Sequence, residues 1–129
     1  MRAQYIADVL VSAWTLAERD TPLPTGTGVL DRALKTAIEE GAFPQFKDEL
    51  RFVRTRVGVR CAQLESILSW AQASGQTSDP NSSYEVTEMK TSKHFAQRVL
   101  AEHQIDPELA CTWGRTLSKA IEKDRSVQT

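Results

Sequence analysis

Between Pro44 and Ser74, apolar residues recur at steps of three and four positions, and this spacing constrains the fold more than any other feature of the chain. The steps match the 3.6-residue period of an α-helix. A second, sparser apolar stripe follows another side of the same stretch, and a helix that is apolar on more than one side is usually buried between neighbours. The spacing therefore predicts one long central helix over residues 44–74. The main stripe consists of Phe46, Leu50, Val53, Val57, Cys61, Leu64, Leu68 and Ala71.

Two residues define this predicted helix further. Pro44 is suited to its first turn, where a backbone N–H has no helical partner in any case. Gly58 lies in its middle and weakens a helix by about 1 kcal/mol relative to Ala. A glycine at this position indicates either a close helix crossing or a bend.

Four further segments have apolar residues at helical spacing, and they predict shorter helices that pack along the central one. They are residues 3–19, 28–40, 91–104 and 107–123. Thr27 is expected to cap the second of these segments, and either Thr91 or Ser92 the third. The fourth begins with the sequence Asp106-Pro107-Glu108, which combines a capping residue, a first-turn proline and an acid near the positive end of the helix dipole.

The chain as a whole predicts an all-α fold, a single-domain bundle of about five helices. Its 129 residues, 40% apolar and 26% charged, have the length and composition of one globular domain. Residues 74–83 form a polar loop, and residues 124–129 a frayed tail. Residues 84–89 alternate weakly and fit either an extended segment or the approach to a helix, and no strand pairing is predicted. Phe95 and Leu109 are expected to face inward.

The charge is distributed unevenly along the chain. The net charge of −1 excludes a protein that is strongly basic overall, but residues 47–60 hold five cations against two acids, and residues 61–89 contain no Lys or Arg. Such a cluster is either a solvated helix face or a contact for a phosphate backbone. The candidate nucleic-acid-binding residues are Arg51, Arg54, Arg56 and Arg60, extended by Lys90, Lys93, Arg115 and Lys119.

The cysteines and histidines give no pattern for a metal or a cofactor. Cys61 and Cys111 lie in helical patterns and are expected to be small core residues. Neither His94 nor His103 has metal-ligand spacing to a cysteine or to the other histidine, so no metal and no cofactor are predicted. Asp8 interrupts the apolar N-terminal stretch, and no run approaches the length of a membrane span. We therefore expect a cytoplasmic protein without a membrane partner.

The segment from Arg98 to His103 has an Arg-x4-His spacing near the end of a predicted helix. It resembles the signature of the HEPN ribonucleases, in which an Arg and a His converge across a dimer to cleave RNA. The resemblance implies that His103 acts on the 2′-hydroxyl and Arg98 on the phosphate. Val99 departs from the family, which tends to have a polar residue there. The alternative interpretation is an ion pair between Arg98 and Glu102, four residues apart on one helix.

In overall design the chain resembles the small subunits of CRISPR effector complexes, which are short, helical and locally basic. The resemblance implies a part in antiviral defence, as one of several copies that contact RNA or single-stranded DNA through the backbone. We therefore predict a non-enzymatic accessory subunit of a ribonucleoprotein assembly, with other protein subunits and a nucleic acid as partners. The alternatives are a metal-independent ribonuclease that uses Arg98 and His103, and a helical adaptor that binds only protein.

Overall fold

Helix α1, Ala3–Glu18, lies at the centre of the structure. The structure is a computed structural model that describes residues 2–18, 21–26, 28–77, 86–87 and 89–128. Seven apolar side chains of α1 are buried on several of its sides, and such a helix needs neighbours on each of them. Three helices supply the cover. They are α3 (Leu64–Ala73), α4 (Lys93–Glu102) and α5 (Pro107–Gln128).

Two small antiparallel sheets accompany the five helices formed by the described residues. Strand β1, Leu23–Pro24, pairs with β4, Val86–Thr87. Strand β2, Phe52–Thr55, pairs with β3, Gly58–Cys61. Strand β3 packs against α2, Val29–Glu39, which in turn packs against α5. The fold is therefore mostly helical, but the predicted all-α class is wrong in excluding strands.

The predicted central helix over residues 44–74 is wrong. Pro44–Phe46 form a single 3-10 turn, β2 and β3 occupy the middle of the stretch, and only α3 is α-helical. β-branched side chains favour a pleated strand, and Gly58 adopts a φ of 109° that residues with a side chain rarely adopt. The apolar spacing fitted a helix, yet two of its members, Val53 and Val57, are 40% and 68% exposed.

The other predicted helices are present, with shifted ends. Ser92 caps α4, since its hydroxyl accepts the backbone N–H of Phe95 at 3.1 Å. Thr27 lies outside the described residues, and the N-cap position of α2 is Gly28. Helix α5 continues to Gln128, so the predicted tail 124–129 is helical up to that residue, and Thr129 lies outside the described part.

The predicted polar loop over residues 74–83 is described only as far as Thr77, and residues 78–83 lie outside the description. Residues 86–87 form β4, so the extended alternative is correct for that part of 84–89. Phe95 and Leu109 are 48% and 49% exposed, not inward. No helix of the described ranges combines the length and the apolar character that a bilayer crossing requires.

Helices α1 and α5 approach each other closely at Gly114. A Cβ atom added to Gly114 would lie 2.3 Å from the carbonyl oxygen of Ala13 and 2.8 Å from the Cβ atom of Ala17. Both distances are too short for any side chain, so only glycine allows this crossing. Gly114, Ala13 and Ala17 therefore determine how closely α1 and α5 pack.

We expect Gly114→Ala to lower the free energy of unfolding by about 1–3 kcal/mol, because the added methyl group forces the two helices apart. The higher helix propensity of alanine would on its own give about 1 kcal/mol in the opposite direction. Urea denaturation measures the difference. Thr112→Ala, an exposed change in the same helix, is the control and should stay within about 0.5 kcal/mol of the wild type. Equal stability of the Gly114 variant and the wild type would contradict the close crossing.

Candidate nucleic-acid interface

The β2–β3 hairpin reverses direction at Arg56 and Val57, and Thr55 organises this turn. The Thr55 hydroxyl donates to the carbonyl of Gly58 at 2.8 Å and accepts the backbone N–H of Val57 at 3.2 Å. A threonine that bonds the backbone in this way replaces the hydrogen bonds of regular structure. With the positive φ of Gly58, these bonds turn the chain tightly between the strands.

The register of the hairpin divides its side chains between two faces. Arg54 stands opposite Val59, and Val53 stands opposite Arg60. Side chains of directly paired residues lie on the same face, and successive residues of a strand alternate. Arg54 and Arg60 therefore lie on opposite faces of the hairpin. The candidate arginines of residues 51–60, which were predicted on a helix, are therefore distributed over the two faces of a hairpin.

Arg60 helps to fix the hairpin to the helices, because it lies beside Asp31 of α2. The Asp31 carboxylate is 5% exposed. One oxygen, Oδ2, accepts the backbone N–H of Cys61 at 2.7 Å, and Oδ1 lies 3.8 Å from Nη1 of Arg60. Burial raises the pKa of the Cys61 thiol, which therefore stays protonated and unreactive. Asp31 is the attachment point of β3.

The remaining arginines of the hairpin segment are free to meet a ligand. Arg51, Arg54 and Arg56 are all exposed, and none of them forms an ion pair with a residue that the structure describes. Residues 51–61 contain no acid. Residues 51–56 thus carry three exposed guanidinium groups without an ion-pair partner among the described residues, and two of them, Arg54 and Arg56, are near the tip of the hairpin.

The other predicted contact residues lie on different elements. Lys90 precedes α4, Lys93 is the first residue of α4, and Arg115 and Lys119 are one turn apart on α5. All four are exposed. None of the four belongs to the hairpin segment. Because they are exposed cations on other elements, they provide a comparison for testing the role of the hairpin.

His103, the predicted alternative catalytic residue, contacts a carboxylate of α1. Its Nε2 lies 3.0 Å from Oδ2 of Asp8, and its ring packs edge-on against Tyr5 with 4.9 Å between centroids. The other oxygen of Asp8, Oδ1, accepts a hydrogen bond from the Gln76 amide at 2.8 Å. Gln76 is buried, whereas the side chains of Asp8 and His103 are 13% and 26% exposed, so this polar network is partly buried.

Arg98 is exposed on α4, and no ion pair joins it to Glu102 among the described residues. A carboxylate on one ring nitrogen orients a histidine and leaves the second nitrogen for proton transfer. The contact between Asp8 and His103 therefore has the geometry of a histidine oriented by a carboxylate. Sequence reasoning missed Asp8 because 95 positions separate it from His103, and no local pattern connects residues at such a distance.

Comparisons with protein families, with curated proteins and with solved structures found no match for this chain. Within the described ranges, no three side chains of His, Cys, Asp or Glu lie close enough together to hold a metal ion. The arrangement of side chains therefore guides the assignment of a function, and the β2–β3 hairpin segment stands out for its exposed arginines and its lack of acids.

We expect Asp31→Ala to lower the free energy of unfolding by about 1–3 kcal/mol, because the buried N–H of Cys61 loses its acceptor. Urea denaturation measures the loss, and backbone amide exchange should show β3 opening more often. Glu40→Ala is the matched control, since it removes one exposed acid just beyond the end of α2. If both variants unfolded at the same urea concentration, Asp31 would not be the attachment point.

Proposed function

We propose that this chain binds a nucleic-acid backbone through the β2–β3 hairpin, as a non-enzymatic accessory subunit of a ribonucleoprotein assembly. The observation that carries the proposal is the group of three exposed guanidinium groups of Arg51, Arg54 and Arg56, on a segment without acids. Arginine is suited to this contact because its planar fork donates two hydrogen bonds to one phosphate. Arg60, beside Asp31, has a supporting role.

Binding of this kind is sequence-independent and salt-dependent. Each neutralised phosphate releases condensed counterions, so affinity falls with a slope of roughly 0.7 to 0.9 log units per log unit of salt and per contact. Three contacts predict a slope of about −2.1 to −2.7, which is on the order of a twentyfold to fortyfold loss between 50 and 200 mM salt. The net charge of −1 adds no general attraction for nucleic acid, so the local cluster has to supply the affinity.

The assembly part of the proposal rests on exposed apolar side chains and on the likeness to CRISPR small subunits. Trp70, Phe95 and Leu109 are 42%, 48% and 49% exposed on three different helices. Apolar side chains that are exposed singly are common on proteins that bind no partner, so the likeness to the CRISPR small subunits is the main support for this part of the proposal. Neighbouring subunits that bind these helices would leave the hairpin accessible to a strand of nucleic acid. A small subunit with a part in antiviral defence would need this access.

We expect the triple change of Arg51, Arg54 and Arg56 to Ala to weaken binding of a labelled single strand at least tenfold at 100 mM salt. The slope against salt should become shallower by about two, because up to three phosphate contacts are lost. Fluorescence anisotropy over a salt series measures both quantities. The same series with a duplex compares the two forms of nucleic acid.

The control is the triple change of Lys93, Arg115 and Lys119 to Ala, which removes the same charge from exposed positions of α4 and α5. It should retain most of the affinity. An equal loss in both variants would mean that the whole surface binds and would overturn the role of the hairpin. If the wild type bound no nucleic acid even at 20 mM salt (about 20 Å of Debye length), the protein-binding adaptor would be the better account.

Cleavage of RNA by His103 and Arg98 is the second candidate function. The observation that favours it is the 3.0 Å contact between His103 and Asp8, since an oriented imidazole can remove a proton from a 2′-hydroxyl. Arg98 is exposed five residues earlier, where a phosphate can reach it. In this proposal Asp8 is a positioning residue, not a catalytic one.

Under our leading proposal, we expect a labelled RNA to remain intact after prolonged incubation with the wild-type protein. If it is cleaved, His103→Ala should abolish the cleavage and leave the affinity for RNA within about twofold, because the hairpin is unchanged. Gel analysis of the RNA and anisotropy measure the two effects. His94→Ala, an exposed histidine on the same helix, is the control. Cleavage that depended on His103 and not on His94 would replace the leading proposal.

A further inference from the structure

The side chain of Val57, at the tip of the β2–β3 hairpin, is 68% exposed. It is the most exposed of the large hydrophobic side chains in the described part of the protein. Arg56 precedes it directly, and Arg54 lies on the adjoining strand. The tip of the hairpin therefore combines an uncovered apolar side chain with two guanidinium groups.

The hydrogen bonds and backbone angles of this turn do not require a valine at position 57. Tight turns favour Gly, Asn, Asp, Ser and Pro, which bond the local backbone or adopt its special angles. Thr55 and Gly58 already supply the hydrogen bonds and the positive φ of this turn. An exposed valine adds no core contact, and departures from local preference of this kind are expected at functional sites.

We infer that the hairpin inserts Val57 between two stacked bases of double-stranded DNA, while Arg54 and Arg56 bind the phosphates on either side. This inference rests on the proposed backbone-binding function and adds the form of nucleic acid that the site takes. An apolar side chain that enters a base step partly unstacks it and kinks the duplex, and the kink brings further protein surface to the backbone.

Three arguments favour a DNA duplex over the other forms of nucleic acid. Two paired strands lie about 4.8 Å apart, and the major groove of B-form DNA admits such a two-stranded ribbon. The deep, narrow major groove of A-form RNA does not admit side chains. Single strands bind by stacking on aromatic rings, and the aromatic residue of the hairpin, Phe52, is at the base, opposite Cys61 and away from the tip.

The experiment uses a 12-base-pair DNA duplex with 2-aminopurine at a central TA step, which is easily unstacked. Wild-type protein should raise the fluorescence of the probe at saturation. Val57→Thr keeps the branched shape and makes the tip polar, so it should abolish most of the rise and weaken binding about threefold to tenfold. Val57→Ile restores an apolar tip and should retain the rise. Because Val57 is exposed, circular dichroism should show the same fold for all three proteins.

The outcomes separate this inference from the function on which it rests. Absence of binding by the wild type, to duplex and single strand alike, would overturn both. Arginine-dependent binding without a rise in fluorescence, or with equal rises for the Thr and Ile variants, would overturn the insertion alone. Tighter binding to single strands with no dependence on Val57 would do the same.

A basic hairpin with an apolar tip could also insert into an anionic membrane surface. One valine buries little apolar area in a bilayer, and basic residues give stable attachment only beside a lipid chain or a larger apolar face, so we favour DNA. Vesicles of phosphatidylglycerol provide the test. Binding to vesicles that was lost in Val57→Thr, without unstacking of the duplex by the wild type, would assign the tip to a membrane and overturn the inference.

Discussion

The close crossing of α1 and α5 at Gly114 is the contact on which the other elements depend. Helix α1 is apolar on several sides, and its burial requires neighbours at short range. The carbonyl oxygen of Ala13 faces the position where any side chain of residue 114 would stand. Helix α5 also packs against α2. The carboxylate that holds the hairpin, Asp31, lies on α2. The position of the basic tip thus depends on a packing contact in the core.

The arginines near the hairpin perform two different tasks, which their partners distinguish. Arg32 donates two hydrogen bonds to Asp124 at 2.7 and 3.0 Å and so joins α2 to α5. These bonds raise the pKa of Arg32 above its ordinary value, so its charge is constant over the physiological range. Arg60 lies beside Asp31 and helps to hold β3. Arg51, Arg54 and Arg56 form no ion pair with any residue that the structure describes, so their charge is available to a ligand.

The sequence predicted the helices well where capping residues and apolar spacing agreed, as at Ser92 of α4 and Pro107 of α5. The prediction failed between residues 44 and 63. Two short strands and the turn between them can also place apolar residues three and four positions apart, so the spacing does not distinguish them from a helix. The positive φ of Gly58 distinguishes a hairpin from a helix, but the spacing of apolar residues carries no information about φ. The four arginines were identified as candidates, but which of them share a face of the hairpin depends on strand register. Asp31 could not be identified, since 30 positions separate it from Cys61.

Protection of an exposed strand edge is the competing explanation for the basic residues. Among the described strands β2 pairs only with β3, and charged side chains along a free edge prevent pairing with other chains. This explanation accounts for Arg54, which lies in β2. It does not account for Arg56, because this residue lies in the turn and not along a strand edge. It does not account for the exposed Val57 either, since an apolar side chain at the surface would make the hairpin more prone to association. The proposed contact with nucleic acid would explain all three residues, because a cation in the turn would reach a phosphate and an apolar tip would reach the bases.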